Sequence, residues 1–436
     1  MIGRTWMTLL GLASLASFAG VAETTVVGDW SVKVSYEGKS AVVQIPPPEI
    51  YEKKNEGVVL RDYNPNGGGW TRGTAPSGIR TQECTSRFML LPETMQVKET
   101  EGIGGIVYED GKDYQLTPDW GTVGRLPNGR IKAGQKVFLN YKYYQRRLDS
   151  IIMDRTGAIM FRRGISHAAT PEQPALQQGE IRLVNIWLDG GVKKLDNEVN
   201  VYPLLEQAYP EALPQTPCIA EKMIPKTYAK LKNGEAVKIL AWGDSVTVGT
   251  FVPDPANQRW QMQFLHRLQA EFPTAKIEMV TEAWGGRNTN SYFAQPAGQE
   301  HNYAETVLAV KPDLVITEFV NDAGFSRDMT YKNYGRIRDD FKAIGAEWIA
   351  LTPHYVRPDW MGLKSEKNVD IDPRGYVTYL REFCKENNIA LADASLRYGR
   401  LWRRGIPGSS LMMNAINHPN PFGMSLFADA LMALFH

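Results

Sequence analysis

Cysteine is scarce in this chain: three residues, Cys84, Cys218 and Cys384, among 436. That excludes a disulfide-stapled scaffold. An oxidising compartment still permits one bridge. Cys84–Cys218 is the pair to test, because Cys384 sits in the helical pattern Leu380-Arg-Glu-Phe-Cys-Lys-Glu. None of the three stands beside a His in sequence, which argues against a catalytic thiol. Excess charge is also missing: 49 Lys+Arg oppose 48 Asp+Glu. No run of about five or more like charges occurs. A general field for nucleic acid or an anionic membrane is therefore excluded. There is no fixed-period repeat, and beyond the first residues there is no apolar run of the roughly 20 residues that span a bilayer. With 43% hydrophobic and 22% charged residues, wholesale disorder is excluded as well.

What is present begins with a leader. Arg4 supplies a positive start, Trp6 to Phe18 is apolar, and Ala19-Gly20-Val21-Ala22 follows. That order predicts a secretory signal over residues 1–22, cleaved near Ala22. The exported chain then has no integral membrane segment.

The texture changes near residue 220. Before it, runs such as Trp30–Tyr36, Lys136–Tyr144 and Glu180–Leu188 alternate with turn signals, among them Asn128-Gly129 and Asp189-Gly190-Gly191. These predict an antiparallel β-sandwich-like domain, with its linker, over 23–220. Pro210, Pro214, Pro217 and Pro225 mark the connection. From 236 to 436 the pattern is strand, helix, strand, helix. Strands are expected at 238–242, 276–280, 313–320, 347–351 and 389–392. Helices are expected at 257–272, 301–310, 331–344 and 375–386, with a terminal amphipathic helix at 422–435. Alternating units of this kind predict an α/β fold, a three-layer α/β/α flavodoxin-like arrangement on a parallel five-stranded sheet. Ligands bind such sheets beyond the carboxyl ends of the strands.

Chemistry-bearing residues stand at those ends. The first strand runs into Gly243-Asp244-Ser245, which places a hydroxyl at a strand-to-helix turn where the helix N-terminus favours an anion. A plain N-cap accounts for the same residues. The second strand is followed by Ala283-Trp284-Gly285-Gly286-Arg287-Asn288-Thr289, where paired glycines allow a backbone N–H to approach a ligand. The third ends in Asn321-Asp322. Near the C-terminus stands Asn417-His418-Pro419-Asn420-Pro421, and a His there can serve a serine as base. In this order and placement, residues 236–436 resemble the GDSL-type esterases of the SGNH hydrolase superfamily. The resemblance does not reach the β domain. It implies Ser245 as nucleophile, Gly286 (with Gly285 one step away) and Asn321 as oxyanion donors, and His418 as base.

One departure stands out. The family places an Asp three residues before the His, and here that position is Ala415. Asn414 is a candidate orienter, Asp393 a remote one, and the third member of the triad stays unassigned. His354 and Trp284 are candidate substrate contacts. The loop-placed Trp70, Trp120 and Trp360 could stack on sugar rings or simply pack. The chemistry requires no metal or cofactor. Export together with an accessory β domain and the family resemblance imply an acylated carbohydrate as substrate partner, with O-acetyl removal as the reaction. Acyl transfer at the same site, and a non-catalytic carbohydrate-binding protein with a decayed site, are the alternatives. Oligomeric state is not readable from the sequence.

Overall fold

The computed structural model describes residues 20–436. The expected leader, up to residue 19, lies outside the described residues. Among the described residues no helix is long and apolar enough to cross a membrane.

The N-terminal region is antiparallel, as its alternating runs predict. Strands Glu23–Gly28, Ser31–Tyr36 and Lys39–Gln44 form a three-stranded meander. In the middle strand Val32, Val34 and Tyr36 point inward while Lys33 faces water, the period of two that a half-buried sheet requires. That face shares a core with a four-stranded sheet of Arg147–Met153, Ile159–Arg162, Ile181–Leu188 and Val201–Pro203. The expected sandwich accounts for this part alone. Residues 51–143 build a second unit with its own core of Leu60, Val97, Leu116, Val137 and Leu139. The cause is local pairing: Tyr51–Val59 runs antiparallel to Lys136–Tyr143, which closes that stretch on itself.

The C-terminal region carries a five-stranded parallel sheet. Its strands are Ala236–Gly243, Lys276–Ala283, Leu314–Glu318, Glu347–Leu351 and Ala390–Ala392, in spatial order second, first, third, fourth, fifth. This is the flavodoxin-like order, which reverses direction beside the first strand and leaves a crevice there. Both faces are covered. Along the first strand Val237, Ile239 and Ala241 enter one core, while Leu240 and Trp242 enter the other. The fold is therefore the three-layer α/β/α arrangement of the SGNH hydrolases, preceded by an antiparallel strand-rich region.

Three sequence expectations need correction. The segment 301–310 is a π turn, Tyr303–Val307, followed by a 3₁₀ turn, Leu308–Val310. Thr306, Val307 and Val310 are β-branched and Pro312 follows Lys311, which disfavours a regular helix. The terminal helix Pro421–Met432 is buried almost all round, against the core and the helix Trp260–Glu271, and is not amphipathic. All three cysteines are free and buried. Cys84 packs with Trp120 and Ile416, while Cys218 belongs to the α/β core, so the proposed pair is not formed.

Candidate active site

Register places the site. Gly243 is level with Ala283 on one side and with Glu318 on the other. The residues that follow, Ser245, Gly285 and Asn321, therefore leave the sheet side by side. Gly243 cannot be larger: a Cβ there would lie 2.4 Å from Glu318 O and closer still to Thr247 Oγ1. Ser245 opens a one-turn helix, Ser245–Val248, that Asp244 caps through Oδ1 accepting from Val246 N–H at 3.0 Å. Ser245 itself is buried.

Buried carboxyl groups bind these loops together. Asp244 Oδ2 accepts from Asn321 N–H at 2.9 Å, tying the serine turn to the third-strand loop. Asp322 accepts from Thr289 N–H at 3.0 Å and from Tyr334 OH at 2.9 Å, tying that loop to the glycine loop. Burial pushes Asp244 and Asp322 up to about 7, and it raises Glu318 between them. A carboxyl group withdrawn from water favours its neutral form. The sequence motifs contained both aspartates, but their stapling role emerges only from the fold.

The glycine loop turns tightly. Arg287 N–H donates to Trp284 O at 3.2 Å. Gly286 takes φ +71°, as the third position of a type II turn requires. A Cβ on Gly285 would lie 3.8 Å from Ser245 Cβ, whereas one on Gly286 would meet nothing within 4 Å. A side chain at Gly285 would thus face the serine, and one at Gly286 would face open space. Trp284 is engaged in packing: its ring stacks on His301 at 4.9 Å, and the Arg287 guanidinium lies 5.1 Å from it.

His418 lies on the loop before the terminal helix. Phe251, just beyond the serine turn, packs its ring edge-on to the imidazole at 5.2 Å. No hydrogen bond joins Ser245 to the ring, because His418 Nε2 is buried without a partner among the described residues, and so is Asn321 Nδ2. Burial lowers the imidazole pKa, and the nearby Glu83 acts in the opposite direction. On the other ring nitrogen, Asn414 Nδ2 stands 2.6 Å from Nδ1. Ala415, where the family has Asp, adopts φ +61° and is buried.

The remaining candidates have other duties. His354 has no exposed surface with which to touch a substrate. Its Nε2 donates to Asn417 O at 2.7 Å and so supports the His418 loop from below. Burial and Arg374 hold its pKa well below the ordinary value. Asp393 pairs with Arg381 at 2.8 Å and accepts from Thr352 Oγ1 at 2.9 Å, far from any role toward His418. Trp70 lies 5.0 Å from Trp120 and 5.6 Å from Trp360; Trp120 is buried and Trp360 is exposed.

Residues 241–426 match the family model of the GDSL-like Lipase/Acylhydrolase family. The C-terminal region is a GDSL-type hydrolase domain. Among solved structures, the chain is similar to a two-domain esterase active on acetylated mannans, at 18% identity and TM-score 0.40, over 49% of this chain and 52% of that one. The present chain thus spans about half the length of that relative. It is also similar to an acetyl xylan esterase from Geobacillus stearothermophilus, at 19% identity and TM-score 0.37, over 46% of this chain and 94% of that one. No curated protein matches the sequence.

Proposed function

We propose that the protein is an exported serine esterase that removes O-acetyl groups from a carbohydrate. The carrying observation is the pair of buried, unpartnered polar atoms, His418 Nε2 and Asn321 Nδ2, on loops adjoining the serine turn. Buried polar atoms normally find partners. Here the reacting groups of an ester supply them. His418 Nε2 takes the Ser245 proton as Oγ attacks the carbonyl carbon. The Asn321 amide and the backbone N–H groups of Ser245 and of the Gly285-Gly286 turn receive the oxyanion. His418 then protonates the leaving alkoxide, and water releases the acetyl group by the reverse sequence. Donors fixed in place before reaction supply such a step with most of its stabilisation. The Ser–His hydrogen bond need not be formed in the free enzyme, because such contacts tighten on the bound substrate.

The acetyl and carbohydrate parts of the proposal rest on the family resemblance and on Trp360 and Trp70, an aromatic pair at the surface suited to a sugar ring. Export rests on the leader pattern of Arg4, Trp6–Phe18 and Ala22. The test is acetate release from a panel of acetylated polysaccharides, with added sugar as an alternative acceptor to detect acyl transfer. Wild type is expected to release acetate and Ser245→Ala to release none. Equal rates in the two overturn the mechanism.

One observation favours a second reading, a carbohydrate-binding protein with an inactive site. An amide that donates to His418 Nδ1 leaves the imidazole proton on Nε2, where a base must have its lone pair.

A further inference from the structure

The two nitrogens of His418 decide whether it can act as a base. The orientation of Asn414 is not free: its Oδ1 accepts from three successive backbone N–H groups, those of Ile416 at 3.0 Å, Asn417 at 2.9 Å and His418 at 3.0 Å. The oxygen shapes the loop, so the NH₂ group must face the ring. At 2.6 Å, an amide N–H pointing at Nδ1 requires a bare Nδ1 and a proton on Nε2. This tautomer cannot take a proton from serine.

The amide has two hydrogens and three acceptors. Besides Nδ1 it reaches Asn417 Oδ1 at 3.0 Å and Glu83 Oε1 at 3.1 Å. When Nδ1 carries a proton, both amide hydrogens still have partners, and Nδ1–H needs an acceptor. Among the described residues the carboxyl group within reach of Nδ1 is Glu83, 3.9 Å away.

Glu83 is not a residue of the hydrolase domain. It sits in the turn of a hairpin formed by Arg80–Thr81 and Cys84–Thr85, with Gln82 at φ +55°. That hairpin is fastened to the His418 loop. Thr81 Oγ1 donates to Asn414 O at 3.1 Å, and Cys84 and Trp120 pack on Ile416.

We propose that Glu83 is the positioning carboxylate of His418, standing in from the N-terminal region for the acid absent at Ala415, so that this region completes the hydrolytic site. The inference rests on the serine-esterase reading above. In the resting arrangement Nδ1 accepts from Asn414. In the working one the proton moves from Nε2 to Nδ1 through solvent, and the ring shifts off the Asn414 amide, whose two hydrogens stay with Asn417 Oδ1 and Glu83 Oε1. The ring and Glu83 close by about an ångström to hydrogen-bond distance, and Nδ1–H donates to Oε1. Nε2 then takes the Ser245 proton and later returns it to the leaving oxygen. Glu83 receives no proton and stabilises the imidazolium.

The test uses the full chain and p-nitrophenyl acetate, with kcat and KM measured from about pH 5 to pH 8. The groups facing His418 are Glu83, Asn414, Asn417 and Phe251, with His354 below the loop. Glu83→Gln is expected to lower kcat roughly 10²- to 10⁴-fold, with KM changed less than about twofold. It also shifts the acid limb downward, because the group that raises the His418 pKa is gone. Adding Asn414→Asp places a carboxylate oxygen where the amide nitrogen now touches Nδ1, keeps the Oδ1 that the loop needs, and recovers kcat at least about tenfold. Wild-type kcat in Glu83→Gln, or a loss that Asn414→Asp fails to recover, overturns the inference; the latter result assigns Glu83 to loop structure alone. Ser245→Ala runs alongside. Full activity there overturns the serine reading itself, whereas an inactive Ser245→Ala with an unimpaired Glu83→Gln overturns only the role of Glu83.

Discussion

The serine half and the histidine half of the site are built differently. Ser245, the glycine turn and Asn321 leave neighbouring strands of one sheet and are stapled by Asp244 and Asp322, which lie in the same loops. His418 rides on a loop supported from below by His354 and from outside by Thr81, Cys84 and Trp120 of the N-terminal region. The first half is held within the α/β domain, and the second is finished by chain from another part of the sequence. On the proposed mechanism, a nucleophile turn with local staples resists perturbation elsewhere, whereas a base on a shared loop links activity to the contact between regions.

The largest separation of the halves comes from the oxyanion side. Asn321→Ala removes one donor while the Asn321 backbone N–H still reaches Asp244. It is expected to lower kcat by about 10²–10³, or about 2.7–4 kcal/mol, with little change in stability; steady-state kinetics and a thermal melt check both. Next comes the staple. Asp322→Ala orphans Thr289 N–H and the buried Tyr334 OH, and should cost about 2–3 kcal/mol of unfolding free energy, read from the denaturant midpoint. On the histidine side, Thr81→Val removes one hydrogen bond across the contact. An expected cost of about 1 kcal/mol should appear in kcat more than in the melting temperature, and an effect confined to the melt breaks the comparison. The smallest effect is in the pH profile. Burial depresses the His418 pKa, so the neutral base persists below the ordinary value and the acid limb of kcat/KM falls below about 6.5. Phe251→Ala admits water to the ring and should move that limb upward.

The same division governs what could be read from sequence. The parallel sheet, its strands and the sites after Gly243, Ala283 and Glu318 were legible because βα alternation puts functional residues at strand ends. Asn414 was legible as a neighbour of His418 because the two are close in sequence. Its orientation was not legible, since that depends on three backbone N–H groups of a folded loop. Glu83 had no signal at all: it lies 331 positions from Asn414, and nothing in Gln82-Glu83-Cys84 marks it. Trp284 carries an aromatic ring on a site loop, yet the stacked His301 occupies one face of that ring. The π and 3₁₀ turns at 303–310 escaped because spacing alone does not register the cost of three β-branched residues ahead of a proline.

The central claim is that Ser245 is a nucleophile activated by His418. Treating the folded full-length chain with a fluorophosphonate and locating the adduct by peptide mass spectrometry tests it most directly. The account predicts a single adduct on Ser245 that is lost in His418→Ala. An unlabelled Ser245 in folded wild-type protein, or labelling that persists unchanged without the imidazole, would contradict it.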